Sequence, residues 1–270
     1  AQRACHQLYL SGLGTAMAET DKELQLLEKR FAELANRSWQ QNIFTFTGFL
    51  SLAEQDVLLR AAKQARVLVC LEGGAPYAER RMGRFGDPEE MGYEEPFPVV
   101  CLRIEPLAEK FAENFSHRDF MGAILNLGIE RSTVGDIWVE GKSAYVFCTD
   151  AIAPFLQENM VQVRHTKVRC IRLETAEGLL ERKFAYREEN VASLRSDGIV
   201  GAVWKLSRSQ SQTLFSQKKV FVNGLLTENG SRQLKDGDTV SVRGFGKFIF
   251  RGEKHTTRKG KLVVGVDVFV

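Results

Sequence analysis

The sequence predicts an α+β fold in three small domains, and three observations carry that prediction. At 270 residues the chain exceeds the roughly 100–150 of one compact domain. Helical and strand periodicities alternate along it, as in layered α and β structure, from Thr20 onward. Its charge is also unevenly placed: residues 193–270 carry fourteen Lys/Arg against six Asp/Glu, a net +8, and residues 1–192 carry −5. The expected divisions are an extension over 1–18, an amino-terminal α/β domain over 19–97, a ferredoxin-like middle domain over 98–186 and a carboxy-terminal α/β module over 187–270.

Composition excludes several classes. With 44% hydrophobic and 26% charged residues the chain is an ordinary folded protein, neither disordered nor a coiled-coil rod. No apolar run approaches the ~18–20 residues that cross a bilayer, so it reads as soluble, unexported and cytoplasmic. Cys5, Cys70, Cys101, Cys148 and Cys170 are odd in number and scattered, the pattern of buried thiols in a reducing compartment. They lack C-x-x-C spacing, and the four histidines are equally dispersed, so no metal site is expected. Gly12-Leu13-Gly14 does not continue as a dinucleotide loop, because Met17 stands at the third glycine and no βαβ unit surrounds it. No cofactor is expected.

In the first domain, Thr20 with Glu23 is a capping box before Leu24, Leu27, Phe31 and Leu34, which recur on one helix face. Ile43–Phe46 reads as a strand, Ser51 with Glu54 opens a second helix to about Ala65, and Val67–Leu71 is a short strand ended by Gly73-Gly74. Residues 77–86 then hold Arg80, Arg81 and Arg84 among aromatics and glycines. They read as a loop able to fork phosphates or, equally, as a salt-bridged surface. Pro88, Pro96 and Pro98 mark a linker.

From Pro98 the order is β-α-β-β-α-β: strands at Val99–Ile104, Val134–Val139, Ser143–Cys148 and within Val161–Leu173, with helical material in Leu107–Leu127 and Asp150–Asn159. This split βαβ arrangement is also that of RNA-recognition-motif domains. Ala144-Tyr145-Val146-Phe147 overlaps part of their aromatic signature, although Tyr145 and Phe147 could as well pack under the helices.

The last third predicts a helix over Leu194–Trp204 and a second opened by Ser207 with Gln210 as a capping box. A strand Val220–Val222, a turn at Asn223-Gly224, another at Asp236-Gly237-Asp238 and a strand over Thr239–Arg243 follow. A localised basic module on a near-neutral body is the electrostatic footprint of a polyanion binder.

Lys205-Leu206-Ser207-Arg208-Ser209-Gln210, Lys219-Val220-Phe221-Val222-Asn223-Gly224, Asp236-Gly237-Asp238 and Val240-Ser241-Val242-Arg243-Gly244 stand in order and at a spacing that resembles the RNA-binding domain named after ribosomal protein S-four. Arg195-Ser196-Asp197 departs from that family's Arg-Leu-Asp. With Arg243-Gly244-Phe245-Gly246-Lys247-Phe248 near the carboxy terminus, and with Gly73-Gly74, Ala78-Glu79-Arg80-Arg81 and Gly135-Asp136-Ile137 upstream, the chain resembles the bacterial YlmH family over roughly residues 19–252. The resemblance implies an RNA-recognition-motif-like middle domain and an S-four-type carboxy-terminal domain. It also implies non-catalytic binding to large-subunit ribosomal RNA and tRNA during rescue of stalled nascent chains, by a monomer working with other rescue factors and no membrane. The expected RNA contacts are Arg195, Lys205, Ser207, Arg208, Ser209, Gln210, Gln212, Lys218, Lys219, Asn223, Arg243 and Lys247, with Arg80, Arg81, Arg84, Tyr145 and Phe147 as secondary contacts. Two rivals stand beside this reading. A pseudouridine-synthase-like enzyme would need a nucleophilic aspartate, but Asp136 lacks the usual Gly-Arg-Leu-Asp context. A photosynthetic assembly factor would instead bind a protein complex.

Overall fold

The computed structural model describes residues 24–76, 78–174, 184–258 and 260–269. The expected extension and the Thr20/Glu23 capping box lie outside them. The chain divides into two compact units, 1–180 and 181–270.

Unit 1 begins with helix α1 (24–41), strand β1 (Thr45–Leu50), helix α2 (Leu52–Ala65), strands β2 (Val69–Glu72) and β3 (Arg81–Phe85), and the short helix α3 (Pro88–Met91). The capping box of α2 forms as expected: Glu54 N–H donates to Ser51 Oγ, and Ser51 N–H donates to the Glu54 carboxylate at 2.6 Å. Arg66, in the left-handed conformation, ends that helix by returning its N–H to the last turn. Strands β1, β3 and β2 form an antiparallel sheet with β3 in the centre. One face of this sheet packs Leu50 and Phe85 against Phe31 and Ala35 of α1 and Val57, Leu58 and Ala61 of α2.

The second part of unit 1 comprises β4 (Val99–Pro106), α4 (His117–Asn126), β5 (Val134–Glu140), β6 (Ser143–Thr149), α5 (Ala153–Asn159), β7 (Gln162–Val163) and β8 (Thr166–Leu173). The sheet order is β5-β6-β4-β8-β7, all antiparallel. Apart from the added edge strand β7, this is the split βαβ order the sequence predicts. Leu102, Ile104, Ala144, Val146 and Cys148 point to α4 and α5 and build the core with Phe120, Ile124 and Leu156. The opposite face meets the first sheet: Cys101, Tyr145 and Phe147 pack against Phe49 of β1 and Met82 of β3. Unit 1 is thus layered helix, sheet, sheet, helix.

Two expectations are corrected here. Residues 81–85 are not loop but the central strand of the first sheet, buried from both sides, so Met82, Gly83, Arg84 and Phe85 all lose contact with water. Tyr145 and Phe147 do share a sheet face, but it is the face away from the helices, closed by the amino-terminal sheet.

Unit 2 runs β9 (Phe184–Val191), α6 (Ser196–Val203), α7 (Arg208–Ser216), β10 (Val220–Val222), β11 (Leu225–Leu226), β12 (Thr239–Val242), β13 (Gly246–Thr256) and β14 (Leu262–Phe269). The six strands form one antiparallel sheet, β11-β10-β12-β13-β14-β9. Alternate valines of β10, β12 and β14, with Phe248 and Phe250, pack beneath Ile199, Val200, Leu214 and Phe215 of the two helices. The sequence signals place α6, α7, β10 and β12 closely. The long β13–β14 hairpin and β9, which completes the sheet, were not anticipated, and β9 spans the boundary expected at 186/187.

Candidate nucleic-acid interface

The S-four-like segment of unit 2 forms a cleft of about 390 Å³ between the end of β9 and the two helices, lined by Asn190–Ser193, Arg195, Gly198, Gly201 and Arg208 among others. Its floor is fixed by local chemistry. Ser207 caps α7, Gln210 completes the box by accepting from Ser207 N–H at 2.9 Å, and Ser211 Oγ donates to the Asp197 carbonyl at 2.6 Å, tying α7 to α6. Arg208 is therefore the first residue of a nine-residue helix whose free N–H groups and dipole favour an anion. Its side chain is exposed, and among the described residues nothing bonds to it.

Arg195 is differently employed. Its guanidinium donates twice to Asp197, at 3.1 and 2.7 Å, and these bonds hold the Asp197 carboxyl below the usual carboxylate range. Ser196, at the departure from the family pattern, is fully buried and donates to the Gly230 carbonyl at 3.1 Å, so a hydrogen bond replaces the apolar contact. Lys205 is exposed but ion-paired with Glu189 at 2.7 Å, and Gln212 bonds to Asp197.

The other expected residues gather beyond the carboxy-terminal end of α7, which at about 1.5 Å per residue lies roughly 13 Å from Arg208. Lys218 pairs with Glu228 at 3.3 Å, Arg243 N–H donates to the Lys219 carbonyl, and the Arg243 guanidinium lies 4.8 Å from the centre of the Phe221 ring. Lys247 pairs in register with Ser241 beside them. Asn223 is a correction: its amide donates to Asp238 and accepts from Thr239 N–H, both at 2.9 Å, so the side chain clasps its own turn. The polar heads of Ser207 and Gln210 are likewise engaged in the helix cap.

In unit 1 the three arginines expected as secondary contacts are structural. Arg80 donates to the carbonyls of Phe49, Val134 and Arg131, and its own N–H and that of Glu79 donate to Asp136 at 3.1 and 2.7 Å. This lock joins the two sheets. Burial lowers the Arg80 pKa, and burial followed by the nearby Arg80 charge pushes Arg131 down to about 10. Arg81 Nε donates to the Ala78 carbonyl. Arg84 is 4% exposed, between Phe44 and Phe97 with centroids 4.8 and 5.1 Å from its guanidinium, and bonds to Glu94 and the Glu95 carbonyl. The Arg80 and Arg84 guanidinium groups are taken up by protein acceptors, and Arg81 is half-buried. Tyr145 and Phe147 are 5% and 1% exposed, so neither ring offers a stacking surface.

No group of three His, Cys, Asp or Glu side chains among the described residues is arranged to hold a metal. Burial pushes the Cys101, Cys148 and Cys170 thiols up to about 12, which makes them packing groups rather than nucleophiles. No helix among the described residues is long and apolar enough to cross a membrane.

Three antiparallel sheets, one in split βαβ order and one under a two-helix module, define a mixed α+β protein. Residues 93–177 match the family model described as "Putative RNA-binding domain in YlmH". The matched segment falls on the middle sheet of unit 1 rather than on the carboxy-terminal module. It is 27% identical over 227 residues to the ribosome-associated protein quality control protein P2 of Bacillus subtilis (strain 168), an alignment covering 82% of this chain and 86% of that protein. A solved structure titled cell division protein ylmH, from Streptococcus pneumoniae, matches with a TM-score of 0.49 and 18% identity, covering 58% of this chain and 94% of that one.

Proposed function

We propose that this chain is a non-catalytic RNA-binding protein of ribosome-associated quality control, acting in the cytoplasm on the large ribosomal subunit and its bound tRNA. The observation that carries the reading is the extent of the Bacillus subtilis match: 82% of the chain is more than unit 1 alone, so the similarity includes both units. Within that reading unit 2 is an S-four-type domain gripping RNA through Arg208 and the cations around it. The +8 charge of residues 193–270 supports this.

The middle domain is read as RNA-recognition-motif-like with its aromatic face closed, so any RNA contact falls elsewhere on it. Arg164, Lys167, Arg169 and Arg172 are exposed along β7–β8 and the turn between them. Arg169 pairs with the largely buried Glu105, and Arg164 and Arg172 pair with the surface carboxylates of Glu113 and Asp150. Such pairs are worth about 0–1 kcal/mol and can exchange a carboxylate for a phosphate. Against the enzymatic rival, Asp136 is buried and both its carboxylate oxygens accept backbone N–H bonds, a poor situation for a nucleophile.

Sedimentation of the full chain with purified bacterial large subunits through a sucrose gradient tests the proposal. Co-migration that is lost after ribonuclease treatment is expected. Migration at the top of the gradient at low salt would refute it. An Asp136-dependent modified nucleotide, detected by mass spectrometry of incubated RNA, would instead establish the enzymatic rival.

A further inference from the structure

The β13–β14 hairpin is the largest feature of unit 2 that the S-four-like segment does not account for. Its eleven-residue first strand starts beside Lys247 and, at about 3.3 Å per residue, carries the turn roughly 30 Å away. Thr257 and Lys261 are joined across the hairpin's end, Thr257 N–H donating to the Lys261 carbonyl at 2.7 Å and Lys261 N–H donating to Thr257 Oγ1 at 3.0 Å. Arg258 and Lys261 are exposed on this turn, and no ion pair to either is present among the described residues. Lys254 approaches from the strand, its stem lying across Gly265. The acidic groups nearby are Glu253, which accepts from Thr256, Glu189 and Glu188 on β9, engaged by Lys205 and Tyr186, and farther down the ribbon Asp267, which pairs with Arg251.

Register fixes where this basic turn lies. Leu262, the first residue after it, pairs with Val191 at the end of β9, and Val191, Ala192 and Ser193 line the cleft that holds Arg208. Neighbouring strands are about 4.8 Å apart, so β13 lies roughly 10 Å from the cleft's edge strand. The sequence Thr257-Arg258-Lys259-Gly260-Lys261 is also polar, with no large apolar or aromatic side chain to insert into a lipid surface.

We propose that Arg258 and Lys261 form a second phosphate-binding arm that works with Arg208, so that one RNA backbone is held between the cleft and the hairpin. The inference rests on the RNA-binding reading above and extends it to residues outside the S-four-like segment. A strand-backed pair of exposed cations with no ion pair among the described residues suits phosphodiester oxygens, contributing affinity without sequence preference.

The test uses the full chain and a fluorescently labelled RNA stem-loop of about 16 base pairs, with affinity measured across a salt series. Arg258→Ala with Lys261→Ala should lower the slope of log K against log salt by about 1.5 and weaken binding roughly 25- to 60-fold at 0.1 M salt. Arg258→Lys with Lys261→Arg should restore most of both. Because these side chains are exposed, the melting curve should be unchanged. In the unaltered chain, RNA should protect Lys254 and Lys261 from an amine-reactive reagent. An unchanged slope with unprotected lysines overturns the arm while leaving the RNA-binding reading intact, whereas failure of the unaltered chain to bind RNA overturns both. Equal loss of binding to phosphatidylglycerol vesicles, with RNA affinity retained, would assign the turn to a membrane surface instead.

Discussion

Replacing Asp136 by alanine should loosen unit 1 more than any single change on its surface. The carboxylate is 9% exposed and accepts from Glu79 N–H and Arg80 N–H. Alanine leaves two donors without acceptors in a site with little room for water, at about 1–3 kcal/mol each. It also removes an anion that, with Glu54, offsets the charges of two half-buried guanidinium groups, Arg80 and Arg131, both already depressed by burial. Removing one partner of a buried ion pair costs about 3–5 kcal/mol, and the effects overlap because they share one carboxylate. The expected total is about 4 kcal/mol for Asp136→Ala and about 2 kcal/mol for Asp136→Asn, which keeps one acceptor. Urea unfolding followed by tryptophan fluorescence can read this, since Trp138 lies on the same strand. Arg80→Ala should be strongly non-additive with Asp136→Ala in a double-mutant cycle. A change below 0.5 kcal/mol for Asp136→Ala would mean that the two sheets are not held together by this lock.

Arg208→Ala should weaken RNA binding by about 1.5–3 kcal/mol with unchanged melting, and lysine should recover only part, since it keeps the charge but not the fork. Phe147→Ala should cost about 3–5 kcal/mol of stability, measured by denaturant titration, while leaving RNA affinity unaltered, because the ring is sealed between two sheets. Asp197 is held below the normal carboxylate range chiefly by the Arg195 bonds, so its folded pKa lies under its unfolded one. The stability it contributes is complete above about pH 4 and falls away as pH drops through the folded value. Asp197→Asn should flatten the acid limb of the unfolding profile, and an unchanged limb would show that the pair is not felt there.

The parts of this structure legible in sequence are those set by contacts a few residues apart. Ser51 with Glu54 and Ser207 with Gln210 are complete local hydrogen-bond circuits, and they place α2 and α7. Asn223-Gly224 marks its turn because both residues take positive φ, at 51° and 76°. Strand β3 was hidden because Arg84 occupies a core position, where two aromatic rings and the Glu94–Glu95 segment meet its polarity from ten residues away. A period-two reading cannot register that compensation. The covering of Tyr145 and Phe147 is likewise a long-range event, made by Phe49 and Met82 of another sheet. The β13–β14 hairpin escaped notice since register shifts after Phe250 and Glu253 break its alternation just where charge is densest. Of the expected site, sequence identified the cations but not their partners: Arg195, Lys205 and Lys218 are all engaged with carboxylates, and Arg208 is not.

The central claim is that the basic unit 181–270 is what attaches this chain to ribosomal RNA. Ultraviolet crosslinking in bacterial cells expressing the full chain, followed by sequencing of the attached RNA and mass spectrometry of the attached peptides, tests it most directly. The account predicts reads concentrated in large-subunit ribosomal RNA and tRNA, with crosslinked peptides from the α7 and β13–β14 segments. Crosslinks confined to peptides of unit 1, or RNA reads spread without regard to the ribosome, would contradict it.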